Sequence, residues 1–195
     1  DFLIGHVSSK VAQRTEQSIW NGAAATAGQF GGFKELMLAD ADVTDIGAVG
    51  GGVNSGNVIA QLGAVIDAVG SSLYTSDDLF IYVSQNVARA YVRALGGFAT
   101  NVGAAGINSD GTQWYTGGTL SFDGVKLAVA NGLADNTMVA AEKTNLYFGT
   151  GLLSDQNEVK VIDMADIDGS QNVRIVMRFT AGVQYGIGSD IVLYS

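Results

Sequence analysis

The clearest alternation of apolar and polar positions lies between Val173 and Tyr185. Val173, Ile175, Met177, Phe179, Ala181, Val183 and Tyr185 alternate with Arg174, Val176, Arg178, Thr180, Gly182 and Gln184. Period two puts one set on each face of a strand. At roughly 3.3 Å per residue a single strand of this length runs about 40 Å, far beyond the usual. Asp168-Gly169 is a hairpin signal joining it to a strand over Glu158–Met164. Asp190–Tyr194 follows Gly186 and Gly188 as a third strand. The pattern predicts a long three-stranded meander, shaped as a beam rather than a pocket.

Helical spacing dominates elsewhere. Leu3, Val7, Val11 and Ile19 form one stripe over Phe2–Trp20, with Asp1 as a cap and Asn21-Gly22 as the stop. A helix of that length spans about 28 Å, and it is expected to lie beside the beam. Asn57–Val69 is a second amphipathic helix, Leu79–Val83 a buried strand, and Gln85–Leu95 a third helix capped by Ser84 and ended by Gly96-Gly97. Short strands are expected at Lys34–Leu38, at Leu120–Val129 (broken at Asp123-Gly124) and at Met138–Ala141. Gly50-Gly51-Gly52 reads as a hinge between lobes, and Phe98–Gly118 as a loop. The order predicts an α/β lobe inserted between the first helix and the beam.

Composition narrows the classes. A chain of 195 residues, 47% hydrophobic and 15% charged, is long enough to bury a core and is not disordered in composition. Cysteine is absent, which excludes a disulfide frame and a thiolate zinc site, and with no proline among 27 glycines the turns rest on Gly, Asn and Asp. The net charge of −9 is spread evenly: residues 1–50, 51–144 and 145–195 each carry the same acidic excess. No basic stripe exists, so nucleic-acid binding through phosphate neutralisation is not expected, and no specific nucleic-acid partner is expected. No apolar run reaches the length of a membrane span, and no basic leader precedes Asp1-Phe2.

The residues that carry chemistry are sparse. His6, the only histidine, sits within the first helix and has no nucleophile-elbow sequence to serve. Asp40, Asp42 and Asp45 lack the closing Glu of a calcium loop, and Gly28–Gly32 lacks the Lys-Ser/Thr ending of a phosphate loop. Arg89 and Arg93 lie one turn apart on the third helix and read as solvated or paired. Asp77-Asp78, and Asp155 with Glu158, are carboxylate pairs with no sequence reason for divided pKa values. The expectation is no catalytic, cofactor or metal site, hence no enzyme and no cofactor. Trp114-Tyr115 on a loop leaves a surface adhesion or glycan-binding domain as the alternative function.

Four segments then carry a resemblance: Ile19–Gly22, Asp78–Gly97, Asn145–Asp155 and Val161–Tyr194. Together and in this order they resemble the major capsid protein of tailed bacteriophages, with closest similarity to phages of Bacteroidota including the crAss-like group. The resemblance implies an α+β fold of the Hong Kong 97 type, with a long spine helix packed on long antiparallel β-strands. The peripheral domain would comprise 1–56 and 142–195, and an inserted α/β axial domain would comprise 57–141. It implies a structural protein that assembles with copies of itself into hexamers and pentamers of an icosahedral head around double-stranded DNA. Portal, decoration or scaffolding proteins are further expected partners, with no membrane involved. The location implied is the virion, after assembly in the host bacterial cytoplasm. Members of the family carry an N-terminal arm and an extended loop ahead of the spine helix. Neither precedes Phe2 here, which predicts a truncated or processed chain.

Overall fold

The computed structural model describes residues 2–101, 120–151, 159–165, 169, 172–177 and 180–195. In chain order the helices are α1 (Phe2–Asn21), α2 (Phe33–Ala39), α3 (Val58–Ala68) and α4 (Gln85–Asn101). The strands are β1 (Thr44–Asp45), β2 (Leu79–Val83), β3 (Ser121–Phe122), β4 (Val125–Val129), β5 (Met138–Glu142), β6 (Leu146–Thr150), β7 (Val159–Asp163), β8 (Val173–Met177), β9 (Ala181–Tyr185) and β10 (Val192–Tyr194). Six strands form one sheet in the order β1-β10-β5-β2-β4-β3; β6 pairs with β9 and β7 with β8 as separate two-stranded ladders.

The large sheet is the middle layer of a lobe. Leu79, Ile81 and Val83 of β2 are buried on one face with Met138 and Ala140 of β5. On that face lie Val58, Leu62, Val65 and Ile66 of α3 and Val87, Ala88, Tyr91 and Ala94 of α4, each set recurring at helical spacing. Val139, Ala141 and Leu193 project to the other face, against Trp20 from the end of α1 and Phe33 and Met37 of α2. β2 and β4 run parallel, whereas β5 is antiparallel to β2 and β10. Asp123 (φ 49°) and Gly124 (φ 83°) turn β3 into β4 as an Asp-Gly hairpin, which is the break expected in Leu120–Val129.

Four expectations are corrected. Lys34–Leu38 is helical, not a strand: Phe33 and Met37 are buried one turn apart while Leu38 faces solvent, a spacing of four rather than two. α4 runs through Gly96-Gly97 to Asn101. Each helical glycine costs about 1 kcal/mol, and the packed stripe upstream outweighs that. Gly50-Gly51-Gly52 is not a hinge between lobes, since β1 before it and α3 after it belong to the same lobe. The Val53 N–H donates to Asn136 Oδ1 at 2.8 Å and Asn57 Nδ2 donates to the Gly52 carbonyl at 3.0 Å, so the segment is pinned. Finally, the terminal meander is two-stranded. Asn145, Gly186 and a short 3-10 turn at Gly188–Asp190 redirect the chain, and β10 leaves to pair between β1 and β5.

The remaining two ladders form an arm. Thr150 pairs with Ala181 and Val159 with Met177, with Asp163 opposite Val173 at the far end. Gly169, at φ 71°, lies between β7 and β8, where the Asp168-Gly169 signal placed a hairpin. The register differs between the two ladders, and the alternating run meets two partners, β7 and β6, instead of one. Over the described residues the expected single strand pairs with β7 from Val173 to Met177 and with β6 from Ala181 to Tyr185. The loop Phe98–Gly118 falls largely outside the described residues, as do Trp114, Tyr115, Asp155 and Glu158.

Candidate interaction surfaces

The seat of α1 is built from backbone approaching backbone. Gly22, Gly32 and Gly132 are all buried around the last turns of the helix. A Cβ on Gly22 would collide with the Phe30 and Ser18 carbonyls, and one on Gly132 with the Glu16 carbonyl, while at Gly32 it would lie 2.6 Å from the Gly22 nitrogen. Only glycine admits such contact. Asn21 Nδ2 donates to the Gly132 carbonyl, and the Asn131 N–H donates to Glu16 Oε1 at 3.1 Å. Val7 and Val11 of the predicted stripe are partly buried, Ile19 packs on the core, and Trp20 is enclosed.

From Trp20 a row of rings crosses the sheet. Trp20 lies 5.4 Å from Phe33 and 5.2 Å from Tyr82, Tyr82 lies 6.2 Å from Phe80, and Lys126 Nζ sits 5.6 Å above the Phe80 ring. Burial, and then the charge of Asp78, raise the Tyr82 phenol above its ordinary value. A polar hollow of about 350 Å³ lies beside the α1 seat, lined by Arg14, Gln17, Ser18, Asn21, Gln29 and Asn131 among others. Its described lining contains no carboxylate or imidazole, so it offers no acid–base pair.

Among the described residues, two polar clamps fasten the arm to the lobe, beside Leu146 and Val183, which pack on the core. Asn145 is buried, and its Oδ1 accepts the N–H groups of Gly186 at 3.0 Å and Ile187 at 2.8 Å. Its Nδ2 donates to the Ile187 carbonyl at 2.8 Å. Tyr185 supplies the second clamp: its hydroxyl donates to Asp40 Oδ2 at 2.8 Å and approaches the Leu36 carbonyl at 3.3 Å. Burial first, then the bond to Asp40 and the charges of Asp40 and Asp42, push the Tyr185 phenol up to about 12. Asp40 is held below its ordinary value by the Asp42 N–H, which Oδ1 accepts, and then by the Tyr185 hydroxyl. Beyond these clamps Tyr147, Phe148, Val161 and Val173 are exposed on the arm, and Ile187 beside its base.

The residues singled out from sequence are scattered. His6 is exposed on α1, Arg89 and Arg93 are exposed on α4, and Asp77 and Asp78 lie in the turn before β2. Asp40 and Asp45 accept backbone N–H groups of Asp42 and Gly47, and this loop is held by turns. The structure does not bring these residues together. The residues that organise the surfaces, namely Asn145, Tyr185 and the glycine seat, carry no mark of that role in sequence, because an Asn before a strand and a Gly after a turn are ordinary there.

No family model and no curated sequence matches the chain. Solved structures are similar to it. A chain of Mycobacterium phage Che8 aligns with TM-score 0.56 at 16% identity, covering 81% of this chain and 54% of the other. A chain of the satellite phage P4 procapsid that includes the size-determination (Sid) protein gives TM-score 0.61 at 10% identity, covering 100% and 67%. A chain from the capsid of an empty GTA particle gives 0.59 at 10% identity, covering 99% and 63%. This chain therefore spans a little over half of the Che8 chain and about two thirds of the other two. Its mixed helix-and-sheet fold is that of phage capsid and procapsid chains.

Proposed function

We propose that the chain is a major capsid protein of the Hong Kong 97 type, a non-enzymatic component of a phage head. The observation that carries this reading is a fold shared along the whole chain with procapsid and capsid chains, despite only 10% identity. Copies assemble as hexamers and pentamers of an icosahedral shell enclosing double-stranded DNA, in the host bacterial cytoplasm. The arm and α1 belong to the peripheral domain, with the six-stranded sheet, α3 and α4 forming the axial domain. By their pairing, β1 and β10, which lie in the segments 1–56 and 142–195 expected to be peripheral, join the axial sheet. The finer placement near phages of Bacteroidota rests on the four segments quoted above.

Rigid elements with exposed apolar side chains are what broad, shallow subunit contacts require. The even acidic excess leaves packaged DNA free to slide along the wall, so binding to duplex DNA should be weak, with a nearly flat dependence of log affinity on log salt. Portal, decoration or scaffolding proteins are the other expected partners. Electron microscopy of the natural full-length protein expressed in bacteria tests the assembly. Capsomers or closed shells are expected; a monodisperse monomer that is retained on glycan columns would replace this reading with surface adhesion.

A further inference from the structure

We propose that Asn145 aims the arm: its side chain fixes the direction in which β6 and β9 leave the lobe, while Leu146, Val183 and Tyr185 supply the apolar seat at the base. Three bonds converge on one amide. Oδ1 receives two successive N–H groups and Nδ2 satisfies the carbonyl of Ile187. That demand for an acceptor and a donor on one short side chain is met by Asn. Asp would accept both N–H groups but present no donor to the Ile187 carbonyl. Alanine would remove the side-chain partner of both backbone groups of Ile187.

Position gives the clamp its leverage. Asn145 immediately precedes the first ladder pair of the arm, Leu146 with Tyr185, and it grips the two residues through which the chain leaves the arm toward β10. Gly186 fits closely, since an added Cβ would come within 3.1 Å of Asn145 Oδ1. β10 is buried and paired on both edges, so it is the fixed side of the joint. A small rotation here is multiplied along the β6–β9 ladder. Where the chain forms a shell, as proposed above, the angle set at this joint governs how neighbouring copies meet and hence the regularity of the shell.

The absence of cysteine permits a direct test. Arg93→Cys on α4 and Gln184→Cys on β9, both exposed positions, take a donor–acceptor dye pair. A narrow distance distribution is expected for this parent, a broader one with Asn145→Asp, and the broadest with Asn145→Ala, while circular dichroism shows the lobe intact. An unchanged distribution in folded Asn145→Ala overturns the proposal. Should that variant not fold, hydrogen exchange of the unmodified chain decides. An Ile187 amide slowed about tenfold or more, alongside the β6–β9 amides, supports the clamp; exchange at the open-chain rate sinks it. These readouts do not depend on shells. A chain that never assembles removes the capsid reading alone, and unchanged distances beside normal shells remove the aiming role alone.

Discussion

The lobe and the arm are made of similar residues and are held in opposite ways. In the lobe, Ile81 is 0% exposed, with β4 and β5 at its sides and helices packed on its face. In the arm, Val173 is 53% exposed in a ladder of only two strands. A two-stranded ribbon is at best marginally stable in water. The lobe therefore carries its own stability, and the arm depends on the clamps and on the packing of Leu146, Val183 and Tyr185 at its base, and on whatever covers its exposed side chains. A β-branched residue in a strand says little about its worth until the layers around it are known.

The sharpest way to break this comparison is to truncate one residue in each region. Ile81→Ala should cost about 3 kcal/mol, in the range for fully enclosed aliphatic side chains, read as a lower urea midpoint. Val173→Ala should stay within about 0.5 kcal/mol in the isolated chain. Equal losses would mean that the arm belongs to the cooperative core, and the contrast would fail.

Glycine gives a second, smaller contrast. Gly132→Ala places a methyl group against the Glu16 carbonyl and 2.9 Å from the Trp20 ring. Unseating the end of α1 should cost about 1 to 3 kcal/mol, as overpacking does, and should shift Trp20 fluorescence. Gly182→Ala in β9 meets nothing within 4 Å and should be close to neutral. A neutral Gly132→Ala would show that α1 is not held by that approach.

The same contrast explains what could be read from the chain. Amphipathic spacing located α1, α3 and α4, because Val58, Leu62, Val65 and Ile66 in α3 face one layer and repeat accordingly. The Asp-Gly signals at Asp123 and Asp168 located two turns, since positive φ at glycine has little competition there. β10 was misplaced for a physical reason. Ile191, Val192, Leu193 and Tyr194 are consecutively apolar and all buried, as in a strand covered on both faces. That run differs from the alternation of β8 and β9, and only the difference in pattern hinted that it belonged to another sheet. The arm's divided register could not be read, because Val173–Tyr185 keeps its alternation across a change of partner. The joint was hidden for another reason: what matters in Asn145 is which backbone groups the fold brings to it, and those lie over forty residues away in sequence.

The smallest effect expected concerns the second clamp, and its sign follows from the direction of each shift. The folded Tyr185 phenol titrates near 12 against an ordinary 10.0, so the folded state holds that proton more tightly. Its contribution is complete below pH 10 and disappears as pH rises from there through about 12. Tyr82 and Tyr91, also raised by burial, add to the same alkaline loss from within the lobe. Asp40 works from the other side. Its carboxyl lies below 3.8 in the folded chain, so its contribution is present above that value and fades as the pH falls through the lower one. Tyr185→Phe should cost about 1 kcal/mol at neutral pH, the net worth of a hydrogen bond, and should remove part of the alkaline loss while leaving the share of Tyr82 and Tyr91. Hydrogen exchange separates the two regions: in Tyr185→Phe the amides of β9 should quicken and those of β2 should not. A uniform change across both strands would mean that the phenol supports the whole lobe rather than the attachment of the arm.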